Sequence, residues 1–227
     1  MKISVVVFPG SSGADDVAYV YRELLGQEVT TIWHQEEDLK KPDVLIIPGG
    51  SAFGDYLRPG ALVLGSPIVG AIRKFARDGG PTLGIGNGFQ ILCELKVLPG
   101  VLLQNSTLHF SSREVFLRVD NIKTPFTDCF KEEQVISLPM ACTHGRFFAD
   151  KRVIRDMEEN GEVVFRYCDR EGEIDDKDPF NASLHSVAGV CSRHRNVVGL
   201  ICRPERAAEE IMGSVEGLPL LSAVLKS

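Results

Sequence analysis

A chain of 227 residues, 44% hydrophobic and 25% charged, has an ordinary globular composition and ample length to bury a core. Its formal net charge of -6 and isoelectric point near 5.4 argue against a nucleic acid or an anionic membrane as partner. Six scattered cysteines with no C-x-x-C pair argue against a disulfide framework or a zinc site; reduced thiols in a cytoplasm are expected, with no metal.

Ile3 to Phe8 is a continuous apolar run, as in a parallel strand covered on both faces. Met1 to Phe8 is too short for a signal segment, and no apolar run reaches spanning length. Pro9-Gly10-Ser11-Ser12-Gly13 turns the strand. Asp15 and Asp16 then open a helix to about Leu25, acidic residues suiting a first turn. Glu28–Trp33 and Asp43–Ile47 read as the next strands, the second ending in Pro48-Gly49-Gly50. Ala61 to Arg77 reads as one long helix. Thr82–Ile85 is a short buried strand, and Asn87–Leu95 a helix with Phe89, Leu92 and Leu95 at near-helical spacing. This alternation predicts a parallel sheet with right-handed crossovers. Ligands of such sheets sit beyond the strands' carboxyl ends, so the glycine turns at Gly10, Gly49-Gly50 and Gly84 to Gly88 should converge on one site.

The second half is richer in strands: Arg113–Val119, Gln134–Leu138, Glu162–Cys168 and Asn196–Ile201, with a short helix Lys151–Glu159 stopped near Gly161. Asp169 to Asp178 is dense in charge and reads as a solvated loop. Arg203-Pro204-Glu205-Arg206 leads into a helix, with proline allowed in the first turn, and Gly217–Lys226 forms a final helix. With no repeat, linker or low-complexity tract, residues 1–227 read as a single α/β domain. It has a mostly parallel central sheet flanked by helices, with additional antiparallel strands.

Gly84-Ile85-Gly86-Asn87-Gly88 joins strand to helix as a nucleophile elbow does. Such a turn lifts its central side chain over the helix N-terminus, where free N–H groups can hold an oxyanion. The central residue here is Gly86, which has nothing to attack with. The glycines could instead cradle a phosphate, but the dinucleotide fingerprint needs a small residue where Phe89 stands, so no cofactor is expected.

Several motifs, in order along the whole chain, carry a resemblance. They include Phe8-Pro9-Gly10-Ser11, Pro48-Gly49-Gly50, Gly54-Asp55-Tyr56-Leu57-Arg58, Asn87-Gly88-Phe89-Gln90, Thr124-Pro125-Phe126, Ala188-Gly189-Val190-Cys191 and Pro204-Glu205-Arg206. The chain resembles the class I glutamine amidotransferases, which have a flavodoxin-like fold, and among them the glutaminase components of phosphoribosylformylglycinamidine synthase, a ligase of purine biosynthesis. That resemblance implies amide hydrolysis by a Cys-His-Glu triad, with ammonia passed to an ATP-using synthetase partner and glutamine as ligand.

Carried over residue by residue, the nucleophile position is Gly86 and the triad histidine is Arg203, while the carboxylate persists as Glu205. Oxyanion donors would be the N–H of Asn87 and one near Gly49 and Gly50. A family stretch rich in His, Gly and Glu is here Cys142-Thr143-His144-Gly145. Arginine is no base near neutral pH, and losing a nucleophile or its base costs ~10⁴- to 10⁶-fold in rate. The resemblance therefore implies a pseudoenzyme that serves its synthetase structurally or as a regulator. Arg203 and Glu205, two apart, are expected to pair where the His-Glu contact once lay. The rivals are an amidohydrolase with a relocated nucleophile, Cys142 or Cys202 with His144 as base, and a small-molecule binding protein. Strand-end cysteines are more often packing, and His144 more often a surface-turn residue. Arg58 is expected at the pocket mouth as a partner contact, against the plainer reading of a solvated charge.

Overall fold

The computed structural model describes residues 1–175 and 180–226. A nine-stranded sheet organises them. In chain order its strands are β1 (Lys2–Val7), β2 (Glu28–Trp33), β3 (Val44–Ile47), β4 (Thr82–Ile85), β6 (Ser111–Val119), β7 (Val135–Cys142), β9 (Val163–Cys168), β10 (Val187–Cys191) and β11 (Val197–Leu200). A small separate pair joins β5 (Val101–Leu103) to β8 (Arg146–Phe148). The spatial order of the large sheet is β2-β1-β3-β4-β11-β10-β9-β6-β7. From β2 to β11 neighbours run parallel; from β11 to β7 every pairing is antiparallel. The sheet is therefore a parallel half extended by an antiparallel half.

The parallel strands are buried throughout where the sequence is continuously apolar. All four residues of β3, β4 and β11 are inaccessible, as expected of strands covered on both faces. Five α-helices accompany the sheet: α1 (Ala14–Tyr19), α2 (Val69–Arg77), α3 (Asn87–Glu94), α4 (Lys151–Glu159) and α5 (Leu218–Ala223). Helix α1 packs on β1 and β2; α3 packs on β3, β4 and β11. Residues 87–93 of α3 are all buried, which places the elbow's helix inside the molecule.

Several sequence expectations change. The helix expected over 61–77 is broken: a 3₁₀ turn at Ala61–Gly65 ends in extended Ser66, and α2 starts only at Val69. Pro67 disfavours helical backbone at the residue before it. Strand β7 runs on through Pro139 to Cys142, because it lies at the sheet edge, where a missing N–H costs nothing. Pro204–Arg206 forms a single 3₁₀ turn that does not continue into a helix; the next turn, also 3₁₀, comes only at Glu210–Met212. Strands β5, β8 and β10 were not anticipated. Of the charged stretch 169–178, Asp169 accepts from the N–H groups of Glu171 and Glu173 in a turn; Asp176 to Asp178 lie outside the described residues. No helix among the described residues is long and apolar enough to cross a membrane.

Candidate active site

The strand-to-helix turn has the backbone its sequence implied. Gly86 stands at φ 55°, ψ -109°, immediately before α3. Its N–H donates to the Leu200 carbonyl at 2.8 Å, tying the turn to β11. A side chain at this φ is strained, and glycine avoids that penalty. The flanking glycine Gly88 serves close approach: a Cβ there would stand 1.9 Å from the Ile47 carbonyl oxygen.

Arg203 fills the space above this turn. It is 4% exposed and Glu205 1% exposed, both in the segment after β11. The Arg203 N–H donates to the Pro139 carbonyl at 2.8 Å, so the main chain here is pinned to β7. The Arg203 side chain turns inward and its Nε donates to Glu205 Oε1. The guanidinium lies in a slot walled by three glycines from three different strand ends. A Cβ built on Gly13 would come 2.3 Å from Arg203 Nη2, one on Gly49 2.6 Å from Cζ, and one on Gly86 3.3 Å from Cδ. The glycine turns of β1, β3 and β4 thus do converge, and what they converge on is this chain's own arginine. In the sequence Gly13 reads only as part of a turn. Its one sequence signal was its place among the glycines beyond β1.

The pair leaves loose ends. Arg203 Nη2 and Glu205 Oε2 are buried without partners. Burial pushes the Glu205 carboxyl above its usual range, while the Arg203 charge pulls the other way.

Asn87 begins α3 and supports the second wall. Its Oδ1 accepts from the Ala52 N–H at 2.9 Å; its Nδ2 donates to Asp55 Oδ1 at 3.1 Å and to Gln90 Oε1 at 2.7 Å. Gln90 Nε2 in turn donates to the His144 carbonyl at 2.5 Å. These side-chain links hold the loop after β3 and the loop after β7 against the elbow helix. Sequence reading assigned Asn87 only a backbone N–H, which stands at the first position of α3, where no intrahelical acceptor exists. At Gly50, in the other turn proposed to donate, a Cβ would stand 2.2 Å from the Gly10 carbonyl oxygen. Asp55 is half-buried, and burial raises its pKa, opposed by Ser51, His144 and Asn87.

The residues considered as a relocated catalytic pair do not meet. Cys142 and Cys202 are both buried. Burial pushes the Cys142 thiol up to about 12, and raises Cys202 as well. The hydrogen-bond partner of the Cys142 thiol is Asn105 Oδ1 at 3.9 Å. His144 faces Asp55, with its Nδ1 buried and unpartnered. The other four histidines lie elsewhere: His34 against Ser66, His185 against Glu158, and His109 and His194 without side-chain bonds. No imidazole among the described residues makes a hydrogen bond to a thiol. All six cysteines are free.

Arg58 stands near the site but is engaged within the chain. Its Nε and Nη2 donate to the two Glu94 oxygens at 2.6 and 2.7 Å. Its neighbours Tyr56 and Leu57 are 75% and 85% exposed on a loop where Phe53, Asp55 and Leu57 all have positive φ.

Known proteins resemble this chain over nearly its whole length. The family model described as the CobB/CobQ-like glutamine amidotransferase domain matches residues 1–217. The chain is 44% identical over 227 residues to phosphoribosylformylglycinamidine synthase subunit PurQ of Gloeobacter violaceus, covering 100% of this chain and 98% of that one. It is 44% identical to the protein of the same name in Aquifex aeolicus over 225 residues, 99% of each chain, and 40% identical to that of Methanosarcina barkeri, with 99% and 97% covered. Among solved structures it superposes on a chain of the PurLQS structure from Thermotoga maritima with a TM-score of 0.86 at 37% identity, covering 99% and 97%. The glutaminase domain of Trypanosoma brucei CTPS, solved with bound acivicin, shares the fold alone, at TM-score 0.62 and 11% identity.

Proposed function

The chain belongs to the CobB/CobQ-like glutamine amidotransferase family, and we propose that it is the glutaminase-type subunit of a phosphoribosylformylglycinamidine synthase in which glutamine hydrolysis has been lost. In this reading residues 1–227 act as one domain in the cytoplasm and bind a synthetase subunit. The synthetase draws on free ammonia, and the present chain contributes structure or regulation in place of nitrogen. Full-length similarity to PurQ subunits supports the assembly. The Arg203 guanidinium lying between Gly13, Gly49 and Gly86 is the observation that carries the loss of chemistry.

Hydrolysis by the family route needs a thiolate over the helix N-terminus and an imidazole beside it. Gly86 supplies no thiolate and Arg203 no base. The Arg203 side chain also fills the space between Gly13, Gly49 and Gly86. The elbow conformation persists because β4 and α3 require it for packing, whatever stands at residue 86.

The test is ammonia release from glutamine, measured on the purified chain alone and mixed with its synthetase. The expected result is no turnover above the buffer blank, together with a stable complex on size-exclusion chromatography. Glutamine turnover abolished by Cys142→Ala or Cys202→Ala would establish a relocated nucleophile. Failure to form any complex would favour a free-standing binding protein.

A further inference from the structure

The end of the sheet opposite the elbow carries a feature that glutaminase chemistry does not use. Arg73 and Arg77 from α2, Lys96 just after α3, and Arg193 and His194 from the β10–β11 hairpin surround a concavity of about 350 Å³. All five side chains are exposed. Leu95, Val97 and Val197 give it an apolar floor, and no carboxylate is among its lining residues. In a chain of net charge -6 this is a local inversion of sign.

The frame is built and not a chance gathering of surface charges. Asn196 donates to the Ala76 carbonyl at 2.7 Å and the Gly80 carbonyl at 3.0 Å, fastening the hairpin to the end of α2. Arg73 Nε donates to the Leu95 carbonyl at 3.1 Å, fastening α2 to the end of α3. The side chains of Arg77, Lys96 and His194 make no hydrogen bond or ion pair among the described residues.

Basic residues at helix C-termini ordinarily offset the helix dipole, and charge counting decides whether that is enough here. Two helix ends contribute about -0.5 charge each. Arg193 is matched by Glu162 at 3.1 Å. Arg73, Arg77 and Lys96 remain, so about two positive charges stand unneutralised around the concavity. A phosphomonoester carries about -1.5 to -2 at neutral pH. The volume falls in the range of small-molecule sites, ~300–1,000 Å³, and the apolar floor suits a ring or hydrocarbon body attached to the phosphate.

We propose that the concavity between the C-terminal ends of α2 and α3 and the β10–β11 hairpin binds a phosphomonoester bearing an apolar or aromatic body, the class of the nucleoside monophosphates. Arg77 and Lys96 hold the phosphate, Arg73 adds a third cation from the rim, and Leu95, Val97 and Val197 receive the body. The site lies away from the elbow and does not depend on whether glutamine is hydrolysed.

Isothermal titration of the full chain with adenosine 5′-monophosphate, adenosine and inorganic phosphate tests this. The monophosphate is expected to bind saturably at one site, more tightly than inorganic phosphate, and adenosine not at all. Arg77→Gln and Lys96→Gln should each weaken binding ~10-fold, while Lys74→Ala, on the same helix but outside the lining, should leave it unchanged. Thermal midpoints near that of the parent would show that these exposed substitutions leave the fold intact. The proposal is overturned by absence of saturable binding up to ~10 mM, by equal affinity in the Arg77→Gln/Lys96→Gln double variant, by adenosine or phosphate binding as tightly as the monophosphate, or by an acidic peptide binding where the monophosphate does not.

Discussion

Arg203 Cδ lies 3.3 Å from the point where a Cβ on Gly86 would stand, so a side chain at residue 86 would need Arg203 to give by a few tenths of an ångström. Gly86→Cys alone places a β-carbon at φ 55° and a sulfur beyond it, against Arg203. It should cost ~1–3 kcal/mol in urea unfolding and release no ammonia from glutamine. Gly86→Cys with Arg203→His removes the obstruction and returns a base. Ammonia release above the parent is expected from that double variant only. Activity in Gly86→Cys by itself would show that Arg203 does not block the site.

Arg203 also neutralises a buried carboxylate, and this gives a pH signature. The Glu205 pKa is raised in the fold by burial, with Arg203 opposing. A group raised on folding contributes its stability below its unfolded pKa and loses it as pH rises through the folded value. Arg203→Ala removes the opposing pull and should cost ~3–5 kcal/mol at neutral pH. The gap in urea midpoint between Arg203→Ala and Arg203→Ala/Glu205→Gln should widen as pH rises above the ordinary carboxylate range. A gap independent of pH would mean that Glu205 does not titrate alone.

The Asn87 side chain ties the elbow helix to the loop after β3 through Ala52 and Asp55. Asn87→Ala leaves the Ala52 N–H without its acceptor, an expected loss of ~1–3 kcal/mol. Hydrogen exchange at Ala52 and its neighbours should accelerate more than in β3. Uniform acceleration across the sheet would instead report a global loss of stability.

Thiol chemistry separates the four buried cysteines from exposed Cys129, with Cys168 between them in exposure. Cys129 is exposed, whereas Cys93, Cys142, Cys191 and Cys202 are buried. Burial pushes Cys142 and Cys191 up to about 12. Iodoacetamide at pH 8 should therefore label Cys129 in the native protein and spare Cys142 and Cys202, as read by peptide mass spectrometry. Rapid labelling of Cys142 or Cys202 would revive the relocated nucleophile.

Arg58 forms a two-pronged pair with Glu94, its own side chain 64% exposed and that of Glu94 10%. An exposed pair of this kind contributes about 1 kcal/mol or less. Under the proposed assembly Arg58→Ala should leave the unfolding midpoint nearly unchanged and weaken the synthetase complex ~10-fold. An unaltered complex would confine Arg58 to its internal pairing.

Strands β1 and β3 were legible because each is a run of apolar residues that ends at a Pro-Gly turn. Glu28–Trp33 and Thr82–Ile85 match their strands residue for residue. Pro67 hid the break before α2 only because the amphipathic pattern continued across it. Strand β10 was opaque because Val187–Cys191 carries two small residues, Ala188 and Gly189, and reads as a motif more than a strand. At the site, identities at residues 86, 203 and 205 could be read in advance. The glycine slot could not, since Gly13 and Gly49 meet Arg203 only through the crossing of three turns far apart in sequence.

The Pro139 carbonyl holds the Arg203 backbone regardless of its side chain, and this gives any return to activity a direction. Histidine at residue 203 while residue 86 is still glycine removes the atom a Cβ at residue 86 would press on, and leaves Glu205 the new side chain to pair with. Cysteine at residue 86 would first have to push Arg203 aside. The order in which cysteine and histidine came to stand at these two positions in any active variant would show which change the fold accepts more readily.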